Sequence, residues 1–140
     1  MTRSAVLLIA SVLDDTALED YRLLAESMGM NALVEVHDRN EAERAVSSGA
    51  SIIGVNNRDL GTFHTDVENS FRMADLLRRE VGGGSGPLPV SESGISDPET
   101  VVRLREAGFR GFLMGEAFMK SGDPGRALAE FIARLKEARP

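Results

Sequence analysis

The stretch SIIGVNNRDL, Ser51–Leu60, decides the fold of this sequence. It begins with an apolar run of two isoleucines, a glycine and a valine, which is typical of a buried parallel strand. Asn56 and Arg58 follow at the end of that run, where open α/β sheets and (β/α) barrels hold their ligands. The stretch therefore predicts a strand that ends in functional side chains. The alternative is that residues 57–59 form a solvated turn that caps a helix.

Length and composition exclude several classes of protein. The chain of 140 residues suits one domain, and 42% of its residues are hydrophobic, which is enough to fill a core. It contains no cysteine and only two histidines, which excludes a disulfide framework and a thiolate or histidine-based zinc site. The net charge of −6, with no basic stripe, argues against nucleic acid as a partner. The apolar opening is too short to span a membrane, so we expect a soluble, cytoplasmic protein.

Strands and helices are predicted to alternate in β-α order along the whole chain. The predicted strands are residues 5–12, 31–37, 51–55, 88–91 and 112–114. Such alternation implies a parallel sheet with right-handed crossovers, either an open doubly wound sheet or part of a (β/α)₈ barrel. No GxGxxG follows the first strand, which weakens the dinucleotide-binding alternative. The glycine-rich residues 81–87 predict a flexible surface loop.

Hydrophobic patterning predicts which faces of these elements are buried. The first strand is apolar throughout, so we expect it to be buried on both faces. The first helix carries apolar residues at helical spacing, namely Leu18, Tyr21, Leu24, Ala25 and Met28. The last helix is expected to turn a similar set inward, namely Ala127, Leu128, Phe131, Ile132 and Leu135.

Two glycine-containing loops at the ends of the last two strands predict an anion site. Ser93 and Gly94 follow the fourth strand, and Gly115 and Glu116 follow the fifth. Barrels commonly bind phosphate on backbone N–H groups of such loops, next to a short extra helix, which residues 116–119 would form. Glycine allows the backbone to approach a phosphate closely. The alternative is two ordinary βα turns.

Two glutamates near strand ends are candidates for acid–base chemistry. Glu35 and Glu92 are expected to point toward the same mouth, and a carboxylate within an apolar strand is costly unless it is paired or functional. We favour a functional role for Glu35; the alternative is that each carboxylate pairs with a basic group such as Arg58. His37 is expected to be a surface residue at a strand end, and His64 a loop residue without a role.

Five motifs carry a family resemblance: LLIASVL, ALVEVH, IIGVNNRDL, PVSESGI and FLMGEAFM, in this order. Together they resemble the second half of indole-3-glycerol phosphate synthase, over nearly the whole chain. The resemblance implies a TIM barrel entered at its fourth strand, so that residues 1–140 form a single, incomplete (β/α) barrel domain with five βα units. It also implies a lyase of tryptophan biosynthesis. That enzyme closes the indole ring of 1-(o-carboxyphenylamino)-1-deoxyribulose 5-phosphate, with loss of carbon dioxide and water and without a cofactor or metal.

The resemblance also assigns roles to individual residues. Glu35 would act as general base or acid in the dehydration, and Asn56 would orient the substrate and its hydroxyl groups. The residues implied to contact the substrate are Leu7, Arg58, Leu60, Glu92, Ser93 and Leu113. The phosphate would be held by the backbone of Gly94, Gly115 and Glu116.

The chain departs from the family because the family's catalytic lysines come from the first three strands, which it lacks. Its own lysines, Lys120 and Lys136, do not lie at strand ends, and a complete barrel takes about 250 residues. We therefore expect no activity from the chain alone, and either self-association or pairing with a complementary N-terminal half. Two alternatives remain open: a non-catalytic half-barrel that binds a sugar phosphate, and another phosphate-binding barrel enzyme such as an isomerase of the same pathway. Glu35, Asn56 and Arg58 argue against the isomerase.

Overall fold

A computed structural model describes residues 4–81 and 86–138 of the chain. Its five strands form one parallel sheet whose spatial order follows the order of the sequence. The strands are β1 (Ala5–Ile9), β2 (Asn31–Val36), β3 (Ile52–Asn56), β4 (Leu88–Glu92) and β5 (Gly111–Leu113). The surface loop predicted at residues 81–87 falls mostly outside the described residues and stays a prediction.

Helices follow each strand, as the sequence predicts. They are α1 (Asp15–Ser27), α2 (Arg39–Ser47), α3 (Glu68–Val81), α4 (Pro98–Ala107), the short α5 (Gly115–Met119) and α6 (Pro124–Ala138). Aspartates begin several of them by accepting a backbone hydrogen bond: Asp14 caps α1, Asp38 caps α2 and Asp97 caps α4. The first strand is shorter than predicted, because residues 10–12 form a 3₁₀ turn. No described helix is both long enough and apolar enough to cross a membrane.

The strand order decides between the two architectures that the sequence left open. A doubly wound sheet reverses its strand order at a switch point, whereas here each strand pairs with its predecessor in sequence. Right-handed crossovers between consecutive strands place every helix on the same face of the sheet. The fold is therefore an arc of a (β/α) barrel, and its register places Glu35 beside Gly54, and Asn56 beside Glu92.

The core lies between the sheet and its helices. The side chains that β2 and β3 direct toward the helices, Val34, Val36, Ile53 and Val55, are fully buried. From the helices, Leu77 of α3 and Leu104 of α4 are also buried. This layer holds the chain together because burying each such side chain contributes about 1.5–3 kcal/mol.

The opposite face of the sheet and its two edges are far less covered. Leu7 on β1 is 49% exposed and Leu113 on β5 is 50% exposed. The prediction that β1 is buried on both faces is therefore wrong, because β1 is an edge strand whose second face has no covering layer in the described chain.

The helices at the two ends of the layer also expose apolar residues. In α1, Leu18 and Ala25 are buried, but Tyr21, Leu24 and Met28 are half exposed or more. In α6, Phe131 is buried and Ala127 and Leu135 are partly covered, whereas Leu128 and Ile132 are exposed. The predicted inward faces are thus only half correct, because each of these helices ends the layer and meets helical neighbours on one side alone.

Candidate active site

A pocket of about 640 Å³ opens at the carboxyl ends of β4 and β5. Most of the predicted substrate and phosphate residues line it: Arg58, Glu92, Ser93, Gly94, Leu113, Gly115 and Glu116. Parallel strands end at one edge of the sheet, so loops that are far apart in sequence meet there. The structure thus brings most of the predicted site into one cavity.

Two carboxyl groups lie next to each other beside this pocket. Glu35 and Glu92 are each 6% exposed. Gly54 makes room between their strands, because a Cβ atom built on it would lie 2.2 Å from Glu92 Oε2. Burial, then the charge of Glu35 and a hydrogen bond to it, raise the pKa of Glu92 to about 8. At neutral pH, Glu92 therefore holds a proton beside the Glu35 carboxyl, which is an arrangement suited to proton transfer.

Neither carboxyl group pairs with Arg58, which was the structural alternative. Arg58 instead binds the carboxylate of Glu116 through Nη2 and approaches Thr65 Oγ1 through Nε at 3.3 Å. Glu92 Oε2 is buried and has no hydrogen-bond partner within the described part of the chain. An unpaired buried oxygen is costly, and this cost is consistent with the raised pKa of Glu92.

Two cations stand at the rim of the pocket. Glu116 bridges Arg58 and Lys120, whose Nζ lies 3.2 Å from Glu116 Oε1. The hydrogen bond from Lys120 and the charges of Arg58 and Lys120 hold the pKa of Glu116 below its usual value. Sequence reasoning missed Lys120 as a pocket residue, although its i,i+4 spacing from Glu116 on a short helix was a signal.

The loop after β4 has a strained backbone that suits glycine. Ser93 and Gly94 have φ angles of +71° and +78°, and a Cβ atom on Gly94 would lie 2.5 Å from Thr65 Cγ2. A side chain is therefore excluded at Gly94 on two grounds. At Gly115 nothing lies within 4 Å of an added Cβ atom, so the requirement for glycine there does not come from the described neighbours.

Asn57 anchors that loop and is the main residue that sequence reasoning missed. It is 4% exposed, so the alternative of a solvated turn is wrong at this position. Its amide donates to Ser91 Oγ at 3.1 Å and to the Ser93 carbonyl at 3.0 Å. Its oxygen accepts from Ser70 Oγ at 2.8 Å, and the two serine hydroxyls lie 2.7 Å apart. This buried network links β3, β4 and α3. In the sequence, only the two consecutive asparagines after the strand, Asn56 and Asn57, pointed to it.

Four predicted residues do not line the main pocket, namely Glu35, Asn56, Leu7 and Leu60. Asn56 borders a smaller pocket of about 200 Å³ behind it, where its Oδ1 accepts the backbone N–H of Arg58 at 3.0 Å. Leu7 and Leu60 are both 49% exposed and line neither of these two pockets. In the described chain these two leucines therefore face open solvent.

His37 is not the surface residue that the sequence predicts. Its side chain is 15% exposed and lies between two carboxyl groups, 3.7 Å from Glu35 and 3.3 Å from Glu41. The side chain of His37 turns inward because the Glu41 carboxylate accepts hydrogen bonds from both the backbone N–H and the ring Nδ1 of His37. His64 is in a loop, as predicted. Among the described residues, no cluster of three or more His, Cys, Asp or Glu could hold a metal.

Comparison with known structures supports the fold. The chain is similar to 3-hexulose-6-phosphate synthase from Salmonella typhimurium, with a TM-score of 0.74 at 16% identity, over 97% of this chain and 63% of that one. It is also similar to orotidine 5'-monophosphate decarboxylase from Sulfolobus solfataricus, with a TM-score of 0.66 at 11% identity, over 96% of this chain and 62% of that one. The structural neighbours are TIM-barrel proteins, which confirms the predicted fold class.

Comparison of sequences identifies the family. The indole-3-glycerol phosphate synthase of Bacteroides thetaiotaomicron is 48% identical over 132 residues, covering 94% of this chain and 48% of that protein. The enzyme of the same name from Laribacter hongkongensis is 42% identical over 133 residues, covering 95% and 49%. The chain thus spans about half the length of the curated relatives that it matches. Since the model for indole-3-glycerol phosphate synthase also matches residues 1–131, this chain belongs to the indole-3-glycerol phosphate synthase family.

Proposed function

We propose that this chain forms the second half of an indole-3-glycerol phosphate synthase barrel. The reaction is the decarboxylating and dehydrating ring closure of 1-(o-carboxyphenylamino)-1-deoxyribulose 5-phosphate to indole-3-glycerol phosphate. One observation about this member of the family carries the proposal. The protonated carboxyl of Glu92, which lies next to Glu35, lines the same pocket as the basic side chain of Arg58 and the glycines of two loops. Such a reaction takes place in the cytoplasm and, in this proposal, uses no cofactor or metal.

The rim of the pocket is suited to the phosphate. Gly94, Gly115 and Glu116 line the pocket, and the first N–H groups of a helix such as α5 have no partner within that helix. Arg58 and Lys120 add positive charge that is now balanced by the Glu116 carboxylate. A phosphate would displace that carboxylate, because it offers more negative charge and more acceptor oxygens.

The carboxyl pair is suited to the proton transfers. Glu35 acts as the general acid or base of the dehydration, and Glu92 donates from its protonated form, which persists at neutral pH. Asn56 orients the hydroxyl groups of the substrate. The remaining proposed substrate contacts are Leu7, Arg58, Leu60, Ser93 and Leu113. Since Leu7 and Leu60 are half exposed, their contacts form only when other groups close over this face.

The exposed flanks support completion by a segment that carries the first three βα units. β1 and β5 are the free edges of the sheet, and the adjoining helices expose apolar side chains, among them Leu24 of α1 and Ile132 of α6. Closing a barrel requires eight strands at a fixed tilt and shear. The partner in this proposal is therefore the complementary half of the barrel, on the same chain or a separate one, and the single incomplete domain becomes complete with it.

A second candidate is a half-barrel that binds a sugar phosphate without catalysis. It is favoured by one observation: the cations that line the pocket among the described residues, Arg58 and Lys120, are both engaged by Glu116. Neither is free to protonate a substrate carbonyl, and the family's catalytic lysines come from strands that this chain lacks.

A complementation assay tests the proposed function. The chain is mixed with the part of the Bacteroides thetaiotaomicron relative that it does not cover, and indoleglycerol phosphate is followed by its fluorescence. We expect no turnover by either part alone and turnover by the mixture. Turnover by the chain alone, or none by a mixture that sedimentation shows to be assembled, would contradict the proposal.

A phosphate titration followed by amide NMR tests the second candidate and the position of the site. Inorganic phosphate should shift the amide signals of Gly94, Gly115 and Glu116. Binding at these residues without turnover in the assembled mixture would support the non-catalytic half-barrel. If other signals shift while these stay still, the phosphate site is misplaced.

A further inference from the structure

His37 lies beside Glu35 but has no role in the reaction proposed above. Its ring Nδ1 is 3.3 Å from Glu41 Oε1, and its Nε2 is 3.7 Å from Glu35 Oε2. Within the described residues, Nε2 is one of two buried side-chain polar atoms without a hydrogen-bond partner, and the other is Glu92 Oε2. The ring is therefore held on one side and open on the side that faces the proposed acid–base residue.

The backbone around His37 holds the ring in this place. Glu41 also accepts the backbone N–H of His37 at 3.0 Å, and Asn69 donates to the His37 carbonyl at 2.8 Å. Asn69 makes a longer contact to the Asn56 carbonyl, at 3.3 Å. The ring is thus fixed between α2 and the end of β3, and its orientation is a property of the fold.

His37 also lines the smaller pocket, and 15% of its side chain remains exposed. Charged and titratable groups face it from each neighbouring element: Glu35 from β2, Glu41 from α2, Arg58, Asp59, His64 and Asp66 from the segment that leads into α3, and Arg72 from α3 itself. Glu35 is almost completely buried, so a substrate in the main pocket would cut off its other route to water.

We propose that His37, oriented by Glu41, is a positioning residue that exchanges a proton with Glu35 and so resets the protonation of Glu35 between the steps of the reaction. The inference rests on the proposed function of Glu35. Because Nδ1–H donates to Glu41, Nε2 of the neutral ring carries a lone pair toward Glu35. When Glu35 has taken up a proton, its O–H bond breaks and an Nε2–H bond forms. The resulting imidazolium is stabilised between the carboxylates of Glu35 and Glu41, and its Nε2–H bond breaks again when the proton returns to Glu35 for a step that requires an acid.

The separation of 3.7 Å is longer than a hydrogen bond, and the transfer requires a small approach of the two side chains. Catalytic hydrogen bonds are often long without substrate and shorten when it binds. His37 acts only through Glu35, since it does not line the main pocket.

The tautomer of the ring is the first test, and it needs no lyase activity. Long-range ¹H–¹⁵N NMR of the 140-residue chain should show the Nδ1–H tautomer for neutral His37. Glu41→Gln should weaken that preference, and Glu35→Gln should shift the Nε2 signal. Glu43→Gln, on an exposed side chain of the same helix, is the matched control and should change neither. An Nε2–H tautomer in the wild type, or an Nε2 signal that ignores Glu35→Gln, would overturn the proposal.

Kinetics of the assembled barrel are the second test. His37→Asn keeps a donor near Nδ1 but lacks Nε2, so a purely structural role would survive it. We expect kcat to fall by roughly tenfold or more while KM stays within about twofold. His37→Gln, which cannot take up a proton either, should behave in the same way, and His64→Asn at the same pocket is the control. Unchanged kcat in both His37 variants would overturn the inference. A wild-type assembly without turnover would instead remove the proposed function, and the tautomer would then decide whether His37 and Glu35 are linked.

Discussion

The centre of the sheet and its two flanks are built from similar apolar strands, yet their surroundings differ. Val34 and Ile53, on β2 and β3, are completely buried, whereas Leu7 on β1 and Leu113 on β5 are half exposed. Each central strand has a hydrogen-bonded neighbour on both sides, and each flanking strand has one. The difference teaches that apolar composition alone does not bury a parallel strand. The strand also needs neighbours, which this chain provides only at its centre.

The same contrast distinguishes the candidate site residues on the central strands from the exposed surfaces of the flanking strands. The carboxyl pair and the Asn57 network lie on or beside the central strands, where the fold fixes their positions. Leu7 on the flanking strand β1 and Leu60 in the loop after β3 line neither of the two described pockets. We propose that the centre is organised before assembly with a complementary half and that the flanks acquire their roles through that assembly.

The largest expected effect concerns the central carboxyl pair. In the assembled barrel, Glu35→Gln should lower kcat and kcat/KM together by roughly 10²–10⁴-fold, because a general acid–base group acts in the transition state. Glu43→Gln on exposed α2 is the control and should leave both values unchanged. Steady-state fluorescence kinetics make the comparison. An unchanged kcat for Glu35→Gln would remove this residue from the mechanism.

Two leucines of α1 allow the effect of a substitution at a buried position to be compared with that at an exposed position of the same helix. Leu18 is fully buried and Leu24 is mostly exposed. Leu18→Ala should lower the free energy of unfolding of the chain by about 3 kcal/mol. Leu24→Ala should change it by less than about 0.5 kcal/mol but should weaken the binding of the complementary half. Urea denaturation and a binding titration measure the two effects. Equal losses of stability would show that Leu24 is already packed in the chain alone.

Asn57→Ala tests the polar network of the centre. The variant leaves the Ser93 carbonyl and the hydroxyls of Ser70 and Ser91 without an amide partner, so we expect a loss of about 2 kcal/mol of unfolding free energy. Asn40→Ala, at an exposed position of α2, is the matched control and should change it by less than about 0.5 kcal/mol. Urea denaturation measures the unfolding free energy of both variants. A loss in Asn57→Ala no greater than that in the control would mean that water replaces these contacts.

Glu92 makes the free energy of unfolding depend on pH. Its pKa is raised from 4.5 to about 8 on folding, so between those values the folded chain keeps a proton that the unfolded chain has lost. The free energy of unfolding should therefore fall as the pH rises from about 4.5 to 8, by less than about 1.4 kcal/mol for each pH unit, because the adjoining pocket admits water.

Two variants sharpen that prediction. Glu92→Gln should flatten the dependence, which urea denaturation at pH 5, 6, 7 and 8 would show. Glu116→Gln is the contrast: the pKa of Glu116 is lowered, so its contribution is lost only in more acidic solution and the slope above pH 5 should remain. A slope that survives Glu92→Gln would mean that another group causes it.

The sequence predicts the fold well because its signals are local. Aspartate caps, glycine stops and short apolar runs place each strand and helix, and the order of the motifs places the loop with Gly94 directly after the strand that carries Glu92. The boundaries move by a few residues, as in β1, where the predicted strand gives way to a 3₁₀ turn.

What the sequence does not show depends on contacts between distant segments. Nothing local distinguishes the buried Asn57 from an ordinary turn residue, because its partners come from β4 and α3. The inward turn of His37 depends on Glu41, one turn into the next helix. The exposure of Tyr21 and Leu24 depends on the position of α1 at the end of the described helical layer. In each case the outcome depends on another element of the fold and not on the residue's own local pattern.

The central claim is that the flanks of this chain are surfaces for the rest of a barrel, and sedimentation velocity tests it most directly. The chain is run at several concentrations, alone and with the segment that carries the first three βα units. We predict that the chain alone self-associates as its concentration rises, since free strand edges pair with other chains. We also predict that the added segment converts it to a defined one-to-one complex. A single monomeric species that melts cooperatively and ignores the segment would contradict the account.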